Sequence, residues 1–250
     1  MAHSFLLCLS EPIFTLPTEE PSVTNIIKMI TDNIVELSSV ALNLMLESIC
    51  NVDSKYVVEF KSPVMPEEEE KIVEQVERCF AYELYHQLRL QFEDYDKSKE
   101  IVISAEIPKC CSGKEASIKY PDLVIHGGQT NQKLQLLVCE IKRYTGTSQS
   151  CKKKIAKDLT KLGEYICNLQ YENGPIGFDA GCFIMTNISK TDLYSLVKGI
   201  IKNKKISIKR DSDIIDLSEI ANRITLVSYE LTKNSKHVEK IPLIDIYNEK

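Results

Sequence analysis

The chain has no tryptophan. That absence, together with a formal net charge of -5, argues against a protein that grips single-stranded nucleic acid chiefly by stacking. Nor does any apolar run approach the roughly 20 residues that a membrane-spanning helix needs. The apolar stretch at residues 5–9 is too short for the core of a secretory signal. The 9 cysteines are odd in number and irregular in spacing, with Cys110 and Cys111 adjacent and no CxxC partner. A disulfide framework and a structural zinc site are both excluded on that pattern. These absences predict a soluble protein of the reducing cytoplasm with no membrane partner.

What is present is ordinary for a globular fold. Hydrophobic residues make up 43% and charged residues 27%, and no internal repeat or low-complexity tract is found, which excludes the disordered and fibrous classes. A chain of 250 residues buries a sizeable core, as one large domain or as a domain with an appendage. Its charge is segregated. Residues 66–100 hold eleven acids and five bases, whereas residues 142–161 hold seven bases and the single acid Asp158. Residues 198–210 add six bases and no acid. Such segregation can give an acidic protein one positive face, which is what a phosphate backbone requires.

Helical periodicity appears first over residues 22–50, where Val23, Ile26, Ile27, Ile30, Ile34 and Leu37 recur at helical spacing behind Pro21. "NVDSKYVVEFKSP" reads as a short strand or linker. A stronger helix is predicted from Pro66, whose following glutamates suit a helix N-terminus, to about Phe92. "EIVISAEI" is a β-branched strand and "PKCCSGKEASIK" a polar loop. The apolar runs on either side of "GGQTNQK" form a hairpin. "CKKKIAKDLTKLGEYICNL" carries Ile155, Leu159, Leu162, Ile166 and Leu169 as a helical stripe with lysines opposite. "AGCFIMTN" is a strand, a helix follows near 190–202, and the strand "RITLVSYEL" closes the chain. From residue 66 the order is helix, three strands, helix, strand. This predicts an α/β domain over residues 61–250 with a helical appendage over residues 1–60.

Strand alternation puts Leu136, Val138, Glu140 and Lys142 on one face and Leu137, Cys139 and Ile141 on the other. A hairpin symmetric about its turn sets Asp122 opposite residues 138–140. Two carboxylates and an amine then meet at one end of an apolar hairpin, a cost of several kcal/mol unless each is paired or metal-bound. Two close carboxylates favour a hard divalent cation, magnesium or manganese, over zinc. A lysine beside that cation neutralises a phosphate oxygen, or handles the proton of a water if its pKa is lowered. These are the parts needed to hydrolyse a phosphodiester.

"PDLVIH", followed by "EIK" eighteen residues after its aspartate, resembles the signature of the PD-(D/E)xK nuclease superfamily. The predicted element order from residue 66 to about 187 is similar to that superfamily's restriction-endonuclease-like core, so the resemblance covers roughly half of the chain. It implies Asp122 and Glu140 as principal metal ligands, the carbonyl of Ile141 as a further one, and Lys142 as the catalytic lysine. The family also commonly places a glutamate on the first core helix. Here "CFAYELYHQLR" supplies Glu83, in one helical row with Val76, Cys79, His86 and Leu90, while Glu77 and Glu106 are rival carboxylates. Lys154, Lys157 and Lys161 lie on the helix where family members often meet phosphates. The implied activity is a metal-dependent nuclease acting on DNA, with Mg as cofactor and Mn able to substitute, in phage defence or DNA processing. RNA as substrate, and endo- against exonuclease action, stay open. A catalytically inactive nucleic-acid- or protein-binding module on the same fold is the alternative, against which the intact Asp122, Glu140 and Lys142 argue. Dimerisation would suit cutting two strands. His86 and His126 read as structural, and Tyr82, Tyr85 and Tyr165 as core.

Overall fold

A computed structural model describes residues 34–53, 69–92, 101–111, 117–128, 131, 134–167, 169–171, 174–203, 206–210, 213–231 and 235–249. In chain order these form α1 (Ile34–Asn51), α2 (Glu69–Gln91), β1 (Ile101–Ala105), β2 (Lys109–Cys111), β3 (Ser117–Lys119), β4 (Leu123–Gly127), β5 (Gln135–Arg143) and α3 (Gln149–Cys167). There follow β6 (Leu169–Tyr171), β7 (Gly174–Ile176), β8 (Ala180–Thr186), α4 (Lys190–Asn203), β9 (Ser207–Arg210) and β10 (Asp213–Asp216). A 3-10 helix (Leu217–Arg223), β11 (Ile224–Leu231), β12 (Lys236–Pro242) and α5 (Leu243–Asn248) end the described chain. Residues 22–33 of the predicted helix over 22–50, residues 54–63 of the strand or linker over 51–63, and the helix start at Pro66 lie outside the described residues.

The fold is mixed α/β, built on a six-stranded sheet of order β1-β4-β5-β8-β11-β12. β1, β4 and β5 form an antiparallel meander, β8 and β11 run parallel to β5, and β12 returns antiparallel at the far edge. β5 sits inside the sheet with eight of its nine residues buried, so its "LLVC" run needs no polar alternation. "PKCCSGKEASIK", expected to be a loop, instead supplies β2 and β3 of a second sheet of order β3-β2-β6-β7. Leu169, expected on the helical stripe, falls beyond the end of α3 in β6.

Side chains from the two faces of the main sheet enter two apolar cores. Leu123, Ile125, Leu137, Cys139 and Ile141 pack with Met45 and Ile49 of α1 and Phe80, Leu84 and Leu88 of α2. Val124, Val138, Phe183 and Met185 pack with Ile155, Leu159, Leu162 and Ile166 of α3 and with α4 and α5. α3 comes very close to the sheet because β8 offers Gly181 beneath it. A Cβ there would lie 2.9 Å from Ile166 Cδ1, closer than packed side chains tolerate. The hydroxyl of Ser148 accepts the Cys151 N–H at 3.2 Å and fixes where α3 begins.

The hairpin register is as the turn symmetry predicts along most of its length. Leu123, Val124 and Ile125 pair with Cys139, Val138 and Leu137. His126 then pairs with Gln135, and Leu136 is the extra residue of a β-bulge. Leu136 therefore joins Leu137 in the α1/α2 core instead of sharing a face with Val138, as strict alternation would have it. Beyond the bulge alternation resumes, and Val138 faces α3.

Candidate active site

Asp122 precedes β4 and is held from both sides. Its backbone carbonyl accepts the Glu106 N–H at 3.2 Å, extending the β1–β4 ladder. Its Oδ2 accepts the Ile141 N–H at 2.6 Å, so the side chain reaches across to β5 and takes the place of a ladder acceptor. Glu140 stands one step beyond the Leu123–Cys139 pair, opposite Asp122, and is only 4% exposed. Its partner is Lys161 of α3, whose Nζ lies 2.8 Å from Oε1 and 2.9 Å from Oε2. The donation is aligned to Oε2, and Oε1 is left in the interior with no hydrogen bond.

Lys142 projects beyond Glu140 at the end of β5. Glu77 of α2 meets it from one side at 3.2 Å, and Asp158 of α3 from the other at 4.0 Å. The second oxygen of Glu77 accepts the Arg143 N–H at 2.8 Å, which ties α2 to the strand end. Asp158 Oδ2, like Glu140 Oε1, is buried with no hydrogen bond. The cluster thus sets four carboxylates, Glu77, Asp122, Glu140 and Asp158, against two ammonium groups, Lys142 and Lys161.

The imbalance is felt in the protonation equilibria. Burial pushes Glu140 up to about 8, the negative charge of Asp122 adds to the shift, and Lys161 opposes it. Burial likewise lifts Asp122 to about 6 against the Ile141 N–H and Lys161, and raises Asp158. Burial would lower Lys142, but Glu77, Asp158 and Asp122 outweigh it and hold its pKa above the ordinary value. Lys142 is therefore held as an ammonium, suited to neutralising charge.

Magnesium, the cation the resemblance implies, can be tested against these groups. Two buried carboxylate oxygens that accept no hydrogen bond, in a cluster of four carboxyl groups and two ammonium groups, fit a divalent cation. Among the described residues no three Asp, Glu, His or Cys side chains converge as a ready-made cage. Magnesium characteristically takes only one or two carboxylates and keeps several waters. Asp122 and Glu140, with the carbonyl of Ile141, fit that requirement.

The structure relocates two expected positions. Glu83 stands away from the cluster, where its Oε1 accepts the Gln87 Nε2–H at 2.6 Å. The helical row that contains it is the outer face of α2: Cys79 and His86 are exposed and Leu90 is 53% exposed. The buried stripe is Phe80, Leu84 and Leu88, and the helix carboxylate that reaches the strand end is Glu77. Lys154 and Lys157 are exposed on α3 as expected, but Lys161 turns inward to Glu140 and also donates to the Tyr120 carbonyl at 2.7 Å. Asp158 is a member of the cluster that the nuclease-like motif does not include. A signal for it is nonetheless present, since it is the only acid among seven bases and lies three residues before Lys161 on the same helix face.

Next to the cluster, between α2 and the ends of β1, β4 and β5, lies a pocket of about 200 Å³. Glu77, Arg78, Ala81 and Tyr82 form its α2 wall, and Ala105, Glu106, Asp122, Leu123 and Ile141 its sheet wall. Tyr165 is fully buried, as expected, whereas Tyr82 is 56% exposed and is not a core residue. His126 sits at the opposite end of β4 beside Ser104 Oγ, 3.2 Å away, and plays no part in the cluster. No described helix is long and apolar enough to cross a membrane. No family model matches the chain, and neither the curated proteins nor the solved structures include a significant match to it.

Proposed function

We propose that this chain is a metal-dependent nuclease with a restriction-endonuclease-like core, hydrolysing phosphodiester bonds in DNA. The observation that carries the reading is the meeting of Asp122, Glu140 and Lys142 at one end of β4 and β5 with too little positive charge to balance the carboxylates. The order α2, β1, β4, β5, α3, β8, with β8 parallel to β5, supports the fold assignment. Other activities are built on related layouts, so the site and not the layout bears the functional argument.

In this reading magnesium supplies a Lewis acid for the phosphate and an acidified water, and manganese substitutes for it. The chain's own residues hold the geometry. Asp122 is clamped by the Ile141 N–H, and Lys161 orients Glu140. Glu77 and Asp158 keep Lys142 charged and extended from the strand end, where its ammonium would rest against a phosphate oxygen. Lys154 and Lys157, exposed two turns and one turn before Lys161, would meet the phosphate backbone.

One observation favours an inactive binding module on the same fold. Lys161 already neutralises part of the Glu140 charge, so that end of the hairpin is tolerable without a cation. Purified protein tested on labelled DNA in magnesium, in manganese and in chelator separates the two readings. Cleavage that needs the metal, is lost in Asp122→Asn and is partly restored by high manganese is the expected result. Absence of both cleavage and measurable metal binding would leave the binding module.

A further inference from the structure

We propose that the pocket beside Asp122 holds one unpaired nucleobase next to the scissile phosphate, so that DNA with an unpaired nucleotide at the cleavage point is preferred over continuous duplex. The inference rests on the nuclease reading, because Asp122 belongs both to the catalytic cluster and to the pocket wall.

Three properties of the pocket select a base. The first is its aromatic edge. Tyr82 keeps 56% of its surface in water while Phe80 and Leu84 beside it on α2 are fully buried, so core packing does not account for an aromatic residue here. An exposed tyrosine ring at the edge of a concave pocket is a surface on which a base stacks. The second is charge. The carboxylates Glu77, Glu106 and Asp122 outnumber the single guanidinium of Arg78, so the pocket repels a phosphate group and offers acceptors to the amino groups of a base edge. The third is the backbone of Glu106, whose φ of 49° lies in the left-handed region that residues other than glycine seldom occupy. The Glu106 N–H bond to the Asp122 carbonyl keeps that conformation against the pocket. Strain of this kind persists where its surroundings over-determine it, as at ligand sites.

Size then sets the substrate class. About 200 Å³ accommodates a single planar ring system. A paired and stacked base enters such a pocket only after unstacking, at a cost of a few kcal/mol that an already unpaired base avoids. The lack of tryptophan is consistent with one captured nucleotide instead of a long stacked strand.

The test uses the full chain in magnesium with matched labelled DNAs: blunt duplex, duplexes with 3′ or 5′ overhangs, and single strand. Wild type is expected to cut at an unpaired nucleotide with kcat/KM at least about tenfold above duplex. Tyr82→Ala is expected to lower that value about tenfold, mainly through KM, with duplex cleavage little changed, and Tyr82→Phe to retain it. No preference in wild type, or an equal loss on every substrate in Tyr82→Ala, overturns the proposal and leaves the nuclease standing. Quenching of 2-aminopurine at the unpaired position, with calcium in place of magnesium, reads stacking without turnover. Quenching by wild type and Tyr82→Phe but not by Tyr82→Ala supports the pocket even if nothing is cleaved, in which case the nuclease reading falls alone. No quenching by wild type overturns the pocket whatever the cleavage result.

Discussion

The two ends of the β4–β5 hairpin both bury ionisable groups, and they resolve the cost in opposite ways. At the turn end Lys109, only 7% exposed, has the Gln135 side-chain oxygen at 3.4 Å and the Phe178 ring centroid at 5.5 Å. Burial lowers Lys109 to about 8, and burial with the Lys109 charge lowers His126 to about 4. Burial there drives cationic groups toward their neutral forms. At the other end burial raises Asp122, Glu140 and Asp158 toward the neutral acid while Lys142 is held charged, and two buried carboxylate oxygens accept no hydrogen bond. The turn end meets the cost with neutral partners, and the other end meets it with opposite charges brought together from β5, α2 and α3, the kind of arrangement in which perturbed groups gather at functional sites.

Exchanging a lysine at each end sharpens the comparison most. Lys142→Met should lower turnover by at least about 10²-fold, since a positioned charged group is removed and the stem kept. Lys109→Met should leave turnover unchanged and raise stability at pH 7 by about 2 kcal/mol, because the folded protein no longer has to bury an ammonium. Equal losses of activity from both substitutions would break the distinction between the ends.

A smaller effect concerns stability against pH in chelator. The folded pKa of Glu140, about 8, lies above the 4.5 of an ordinary glutamate. Its contribution is therefore complete below about 4.5 and is lost as pH rises through about 8, where the folded protein must bury the ionised form. Lys109, lowered from 10.5 to about 8, contributes fully above about 10.5 and loses that contribution as pH falls toward 8. The metal-free protein should then pass through a stability minimum near pH 8. Glu140→Gln should remove the descending limb and add about 2 kcal/mol at pH 8 to 9, while abolishing cleavage. Saturating magnesium should flatten the same limb in wild type. Denaturant melts across the range, with and without the ion, measure both.

The smallest effect is on the outer face of α3. Replacing Lys154 and Lys157 by glutamine should reduce the slope of log affinity against log salt by about two, close to one for each phosphate that a lysine no longer neutralises. Adding Lys161→Gln should disturb metal binding with no matching change in that slope. A slope unaltered in the double variant would place the DNA on another surface.

What can be read from the sequence follows from which geometry is local. Asp122, Glu140 and Lys142 are legible because strand alternation and a symmetric turn fix their relative positions within one hairpin. The bulge at Leu136 is not, since an extra residue in one strand leaves no mark in an apolar run. Glu83 competes with Glu77 on paper because α2 has apolar residues on both sides, so its rotation about its axis is ambiguous from spacing alone. Six residues also separate those two glutamates by about 9 Å along the helix, and only the packed position of α2 decides which of them meets the strand end. Lys161 shares a helical row with Lys157, yet the sheet lies under one end of that row and not the other. β12 and α5 escape a reading of the sequence because "KHVEKIP" is an edge strand, largely exposed, with none of the apolar alternation that marks a half-buried one.

The position of Glu140 within β5 also bears on how the chain finds its fold. Sliding β5 by one residue would turn Glu140 and Lys142 toward Leu84, Leu88 and Met45, placing two charges among aliphatic side chains with no partner for either. The same slip would carry Cys139 and Ile141 out to the solvated strand end. An interior strand of Leu, Val and Cys alone would tolerate several alignments almost equally well. The charges at this end of the hairpin thus also make misaligned versions of it unstable, so that a chain folded in the wrong register is the one least able to persist.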